Sequence, residues 1–284
     1  MSKNKKILYT IAIVIVMIWT CFPIGWMILT SLKSPTDVYA YPPKIIFKPT
    51  FDNWLNVLMG KEWTGTAYAT VHTDIPRYFM NSFLIACGAT LIAFLLGLPA
   101  AYSLARYKFF GKENFAFTLL SFRFAPGLIV IFGVYQLYQR AGLFDTHFGV
   151  MLVHQLLLLP FVVWMMRSYF SAIPIDIERA ARVDGYSWLG VFIKVTLPLV
   201  KPALAASAVI AFIYSWNEFL LGYVVTGSNA RPMTPALLGF ISYERVLWGQ
   251  MAAASVLGML PSIVLSLFVQ RYIVAGLSFG AVKG

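Results

Sequence analysis

Runs of apolar side chains too long for the interior of a soluble domain constrain this chain more than anything else in it. Crossing about 30 Å of hydrocarbon takes roughly 20 helical residues. Runs of that order cover residues 7–30, 78–105, 115–139, 149–166, 202–226 and 250–275. An open sheet would leave backbone groups unpaired in lipid, so the spans are expected to be helices. With 60% of 284 residues hydrophobic and 12% charged, there is more apolar surface than one soluble core can bury. The expectation is an all-α integral membrane protein with six transmembrane helices. No linker or internal repeat divides it, so residues 1–284 read as a single membrane domain.

The first run follows a basic start, Met1-Ser-Lys-Asn-Lys-Lys6. It is too long for a signal peptide and no small-x-small cleavage site follows, so it reads as a retained anchor. Cys21 and Cys87 fall inside spans, which suggests packing rather than a disulfide framework or a metal site.

Positive charge orients the chain. With the N-terminus inside, the inner segments hold Lys3, Lys5, Lys6, Arg106, Lys108, Lys112, Arg167, Arg179, Arg182, Lys194, Lys201, Arg271 and Lys283. The outer ones hold Lys33, Lys44, Lys48, Lys61, Arg77, Arg140, Arg231 and Arg245. The long first outer segment mixes its bases with Asp37, Asp52, Glu62 and Asp74. Both termini are therefore expected to be cytoplasmic. Topology and inner-leaflet phospholipid account for the net charge of +11 better than nucleic acid does, because no basic stripe interleaved with aromatics is present. In the first outer segment, Tyr41-Pro42-Pro43 and Lys48-Pro49 favour an extended path, and Asn53 to Met59 suits a short interfacial helix anchored by Trp54.

Between the fourth and fifth runs lies a polar insert, residues 174–198, expected on the cytoplasmic side. Pro174 suits a helix start, Asp176 can cap it, and Glu178 with Arg182 has the i,i+4 spacing of a surface ion pair. Ala180 and Ala181 leave room for another surface to approach. Gly185 permits a turn, after which Trp188, Leu189, Phe192 and Ile193 resume an apolar face up to Pro198. Spacing predicts helix, turn and second helix. By itself that pattern is more often a solvated loop than a docking element.

Glu178-Arg179-Ala180-Ala181, then Asp184-Gly185 and Val195-Thr196-Leu197-Pro198, resemble the cytoplasmic EAA loop of permease subunits in bacterial ATP-binding-cassette (ABC) importers. Further likeness lies in Ser31-Leu32-Lys33, Asn81-Ser82, Ala101-Tyr102-Ser103-Leu104-Ala105-Arg106, Trp216-Asn217-Glu218-Phe219 and the ending Gly276 to Gly284. The ordered set is similar to the carbohydrate-uptake branch, specifically the six-span maltose permease subunit family. Arg179 and Val195 are mild departures from its pattern.

The resemblance implies a subunit of the bacterial cytoplasmic membrane that pairs with a second permease, usually non-identical in this branch. It also implies two ATPase subunits that hold ATP and Mg, and an extracytoplasmic sugar-binding protein. Glu178, Ala180, Ala181, Asp184 and Gly185 would form the coupling helix that docks an ATPase. The chain itself has no Gly-x-x-x-x-Gly-Lys-Ser/Thr loop and no catalytic constellation, so it carries no cofactor of its own.

Ionisable and polar residues inside spans mark polar interiors. Arg123 interrupts the third run just before Pro126-Gly127, and Asn217 and Glu218 lie within the fifth. Each has a bland reading. Asn217 and Glu218 can be interhelical hydrogen bonders, and Arg123 a boundary charge or a partner for Glu218. With Tyr214, the three are the candidate pathway residues; Tyr135, Tyr138, Tyr214 and Trp216 can all stack on sugar rings, although aromatics at helical spacing are more often packing. An ion-coupled secondary transporter would need midplane carboxylates and related repeats, and only Glu218 qualifies. A membrane enzyme would need clustered acids or histidines, whereas His72, His147 and His154 scatter around the predicted outer regions.

Overall fold

The computed structural model describes residues 3–59, 74–124, 127–242 and 246–280. Lys61, Glu62, His72, Pro126, Arg245 and Lys283 lie outside the described residues. The helices in chain order are α1 (Lys3–Ser31), α2 (Pro35–Val38), α3 (Asp52–Met59), α4 (Ile75–Arg106), α5 (Lys112–Ser121), α6 (Gly127–Ala141), α7 (His147–Val153) and α8 (Gln155–Ala172). After these come α9 (Ile175–Val183), α10 (Trp188–Val191), α11 (Leu197–Leu199), α12 (Lys201–Trp216), α13 (Leu220–Val225), α14 (Met233–Ala236) and α15 (Trp248–Gly280). Among the described residues there is no strand beyond one isolated bridge, Ile241 with Val246.

Among the described residues, three stretches are long and apolar enough to cross a membrane unaided: Lys5–Ser31, Ile75–Arg106 and Trp248–Gln270. The number reaches five if each of two bent pairs is one span, His147–Val153 with Gln155–Ala172 (48°) and Trp188–Leu199 with Lys201–Trp216 (80°). The expected continuous third run is instead broken. α5 stops at Ser121, a 3₁₀ turn covers Phe122–Phe124, and α6 begins at Gly127. The expected fifth run is interrupted at Asn217–Phe219, where the Glu218 carboxylate accepts from the backbone N–H groups of Leu221 and Gly222 at 3.0 and 2.9 Å. A side-chain acceptor that satisfies the orphan donors of a new first turn stops the preceding helix from running through.

Two compact units divide the chain, Met1–Arg77 with Ala236–Leu260, and Tyr78–Pro235 with Pro261–Gly284. In the first, no residue of the most apolar stretch of α1 is buried within the chain, as expected of a helix whose solvent is lipid. The segment after it is pinned by Asn53, whose amide donates to the carbonyls of Ser31 and Lys33 at 3.0 and 2.8 Å, and by the Trp54 indole, which donates to Ser31 Oγ at 3.1 Å. The short helix expected at Asn53 to Met59 is present as α3.

In the second unit the core lies among α4, α8 and α12. Ala89, Ala93 and Ala101 on α4 meet Leu158, Val162, Met166 and Phe170 on α8. Small residues let the backbones approach, as is usual between helices in lipid; a Cβ placed on Gly97 would stand 2.8 Å from Val162 Cγ1. Asn81 and Ser82 tie down the opposite end of α4. Asn81 donates to the carbonyls of Asn229 and Arg231, and Ser82 Oγ accepts from Met233 N at 2.8 Å. Cys21 and Cys87 are free thiols exposed on the helix surfaces, so they do not fill the core as expected. Phe83, Leu84 and Leu91, three or four residues from Cys87 along the same face of α4, are exposed too, which suits an apolar side chain in lipid.

Candidate functional site

The polar insert folds as spacing predicts, into α9, a turn and α10, with a π turn at Phe192–Thr196 leading into α11. Its turn is a Schellman motif. Tyr186 N donates to Ala181 O and Gly185 N to Arg182 O, both at 3.1 Å, which closes the last carbonyls of α9. The motif needs a left-handed residue, and Gly185 has φ +89°. Ser187 then caps α10, its Oγ accepting from Gly190 N at 3.0 Å.

Glu178 is where the loop meets the body of its unit. The residue is 3% exposed. Oε2 accepts the Tyr102 hydroxyl proton at 2.9 Å. Oε1 accepts from Arg106 Nε at 2.9 Å and Thr196 Oγ1 at 3.1 Å, with Arg106 Nη2 at 2.7 Å. Arg106 Nη2 also donates to Ile173 O at 3.1 Å, just before α9. One carboxylate thus joins the end of α4, the start of the loop and its return segment. A buried charge is tolerable when paired and hydrogen-bonded in this way.

The expected i,i+4 pair between Glu178 and Arg182 is therefore not formed. Glu178 and Ala181, three residues apart, share the inward face of α9, and Arg106 supplies the charge from across the fold. Arg182 lies over the Trp188 ring at 4.7 Å and donates to Tyr186 O. Asp176 does not cap α9, because Pro174 stands at the N-cap without a side-chain bond; Asp176 pairs with Arg179 at 3.1 Å. Ala181 is buried against the chain itself, whereas Ala180, Asp184 and Gly185 face outward. Around them the loop exposes Ile175, Ile177, Val183, Trp188, Leu189 and Ile193, with Val183 at 88%. The inner side of the loop is anchored by the fully bonded Glu178 carboxylate, and the outer side exposes both these apolar side chains and the charges of Asp176, Arg179, Arg182 and Asp184.

The candidate pathway residues separate into two groups. Arg123 sits in the 3₁₀ turn after α5, its guanidinium 5.1 Å from the Tyr214 ring centre and 5.6 Å from that of Phe161. Those two rings meet edge to face at 5.3 Å. Arg123 thus gains cation–π contacts with an aromatic pair rather than the ion pair with Glu218 that its sequence position allowed. Asn217 ends α12, donating to Ile213 O at 2.9 Å and Ser262 Oγ at 3.2 Å. Glu218 is held by the first turn of α13, and its own carbonyl accepts from Thr234 Oγ1 at 2.7 Å. Trp216 packs on Phe79 and Phe212.

Sequence reasoning missed Tyr102, Arg106 and Thr196 as the partners of Glu178. A run ending a span in arginine was visible, but nothing in it said which acid it meets. His154, read from sequence only as one of three scattered histidines, is 1% exposed at the bend between α7 and α8, with Nδ1 2.7 Å from Ser215 Oγ. Among the described residues no group of three His, Cys, Asp or Glu has the arrangement to hold a metal.

Residues 91–279 match the family model described as the binding-protein-dependent transport system inner membrane component. Along nearly its whole length the chain is 32% identical over 280 residues to a probable ABC transporter permease protein, y4oR, of Sinorhizobium fredii, covering 99% of this chain and 96% of that one. It is 30% identical over 283 residues to the trehalose/maltose transport system permease protein MalG of Thermococcus litoralis, covering 99% and 98%. It is 31% identical over 288 residues to the trehalose transport system permease protein SugB of Mycobacterium tuberculosis, covering the whole of both chains (100% each). Among solved structures, a chain of a bacterial ABC transporter involved in the import of the acidic polysaccharide alginate shares the fold. Its TM-score is 0.75 at 21% identity, over 96% of this chain and 98% of that one. A chain of the MetNI methionine ABC transporter gives 0.56 at 19% identity, over 71% and 95%. The chain belongs to the inner membrane component family of binding-protein-dependent transport systems, the permease subunits of ABC importers, in which ATP hydrolysis resides in separate subunits.

Proposed function

We propose that this chain is a six-span permease domain, one of two in an importer that carries a sugar or sugar derivative across the bacterial cytoplasmic membrane. Both termini face the cytoplasm in this reading. The second permease is non-identical, two ATPase subunits bind and hydrolyse ATP with Mg, and an extracytoplasmic binding protein delivers the substrate. The sugar class rests on relatives whose names specify trehalose, maltose and diacetylchitobiose.

The observation that carries the coupling role is the two-sided build of residues 174–198. The buried Glu178 carboxylate fixes α9 to α4 and to Thr196, while Ala180, Asp184, Gly185 and the apolar side chains around them face outward. A docked ATPase that moves this face would move α4 and α12 with it as a body, because the link is bonded rather than hinged. In the pathway we place Arg123 and Tyr214. Asn217 and Glu218 serve by shaping the break between α12 and α13.

Purification from native membranes and reconstitution test the reading. Copurifying ATPase subunits and uptake that needs ATP and the binding protein are expected. Uptake by this chain alone, driven by an ion gradient, would sink it. A panel of sugars, polyols and sugar acids offered to the binding protein would identify the cargo.

A further inference from the structure

His154 occupies the corner where α7 stops and α8 begins, at a bend of 48°. Its ring also reaches the second break of the same unit. Nδ1 lies 2.7 Å from Ser215 Oγ near the end of α12, and Nε2 faces Glu218 Oε2 across 3.7 Å. A hydrogen bond to nitrogen spans about 2.7–3.2 Å, so this second contact is open. Nε2 has no other hydrogen-bond partner among the described residues. Buried side-chain nitrogens left without a partner are uncommon in native structures, and this one points at an acceptor.

The bonding around the ring defines what it can do. Backbone N–H groups of Phe219, Leu220, Leu221 and Gly222 all turn toward the Glu218 carboxylate, those of Leu221 and Gly222 within bonding geometry on Oε1 and Oε2. Oε2 thus holds one close donor, Gly222 N–H, and a carboxylate oxygen can accept a second. With Nδ1 accepting the Ser215 hydroxyl proton, the ring proton belongs on Nε2, where it is aimed at the carboxylate. That tautomer is assigned from the partners.

We infer that His154 is a positioning residue for transport, whose Nε2–H closes onto the Glu218 carboxylate in one access state of the permease and opens in the other. The inference rests on the importer reading above. Closure requires about 0.7 Å of approach to reach ordinary bonding distance, less than the helix shifts of about 1–2 Å that accompany switching between packed states. The contact would join the bend of α7 and α8 to the break of α12 and α13. α12 leads back to the return segment of the Glu178 loop, so a rotation begun there arrives at Ser215 along one helix.

The test uses the assembled complex in nanodiscs, with ¹⁵N-histidine in this chain, observed without nucleotide and after trapping with ATP and vanadate. The Nε2 resonance of His154, identified by its loss in His154→Asn, should move between the two states. An unmoved Nε2 resonance in a complex that hydrolyses ATP would overturn the inference alone. A wild-type complex with no ATP hydrolysis would overturn the importer reading and this inference with it. Substitution gives a second readout. The Gln amide in His154→Gln reaches the Nε2 position, while the Asn amide in His154→Asn reaches only the Nδ1 position and keeps the Ser215 bond. Binding-protein-stimulated ATP hydrolysis should be about fivefold higher in His154→Gln, the ratio set by one hydrogen bond of typical net strength. Equal or higher activity in His154→Asn would show that the Ser215 bond alone matters and would overturn the proposal.

Discussion

Arg106 and Glu178, 72 residues apart in sequence, meet in a buried ion pair at 2.7 Å that joins the end of α4 to the helix carrying the outward face of the polar loop. Removing one member leaves the other charged and buried, which in general costs about 3–5 kcal/mol, whereas replacing both by apolar groups is often near neutral. Arg106→Leu should therefore lower the thermal stability of the detergent-solubilised complex and release the ATPase subunits. The double variant Arg106→Leu with Glu178→Leu should recover much of the stability. A double variant as unstable as the single one would mean that the pair matters for something other than charge compensation.

Gly185 gives a second, local test. A β-branched residue at φ +89° is strained by about 1–3 kcal/mol, and the strain falls on the turn between α9 and α10. Nothing stands within 4 Å of the added Cβ, so the effect comes from the backbone and not from a clash. Gly185→Val should leave the chain in the membrane and reduce sugar-stimulated ATP hydrolysis, with Gly185→Asn milder because Asn tolerates the left-handed region. Normal hydrolysis and uptake in Gly185→Val would remove the turn from the coupling argument.

The membrane character, the helix–turn–helix at 174–198 and the need for glycine at 185 were legible because they depend on local pattern: long apolar runs, and a turn between two short helices. Less legible were the features set by long-range pairing. Glu178 has a local candidate partner four residues on, and only the approach of α4 shows that Arg106 outcompetes it. The polar residues at both breaks, Arg123 and Asn217-Glu218, were visible inside the apolar runs, but nothing local showed that the Glu218 carboxylate would take the backbone donors of a new first turn and end α12 there. His154 reads as an isolated polar residue until Ser215, 61 positions later, is brought to it.

Orientation can be checked directly. In a background lacking the exposed thiols Cys21 and Cys87, a cysteine at Tyr186 should be shielded from an impermeant thiol reagent in intact cells, and one at Lys48 should react. Both positions are on the surface of the chain, so burial within the chain itself does not account for a difference. Labelling of position 186 from outside would reverse the topology and remove the loop from reach of any cytoplasmic ATPase.

Arg123 gives the most exposed prediction of the pathway reading. Its guanidinium is framed by Phe161 and Tyr214 at 5.6 and 5.1 Å, contacts worth about 0.5–2 kcal/mol depending on desolvation. No ion pair with a described carboxylate spends its charge, and a planar fork of donors suits a sugar hydroxyl or an acidic group. Arg123→Gln should then lower uptake while complex assembly and basal ATP hydrolysis persist, with a larger loss for an anionic cargo than for a neutral one. Arg123→Lys keeps the charge but loses the planar stacking, and should recover only part of the uptake. If Arg123→Gln prevents assembly and Tyr214→Leu does the same, the cation–aromatic frame is a packing element and the pathway lies elsewhere.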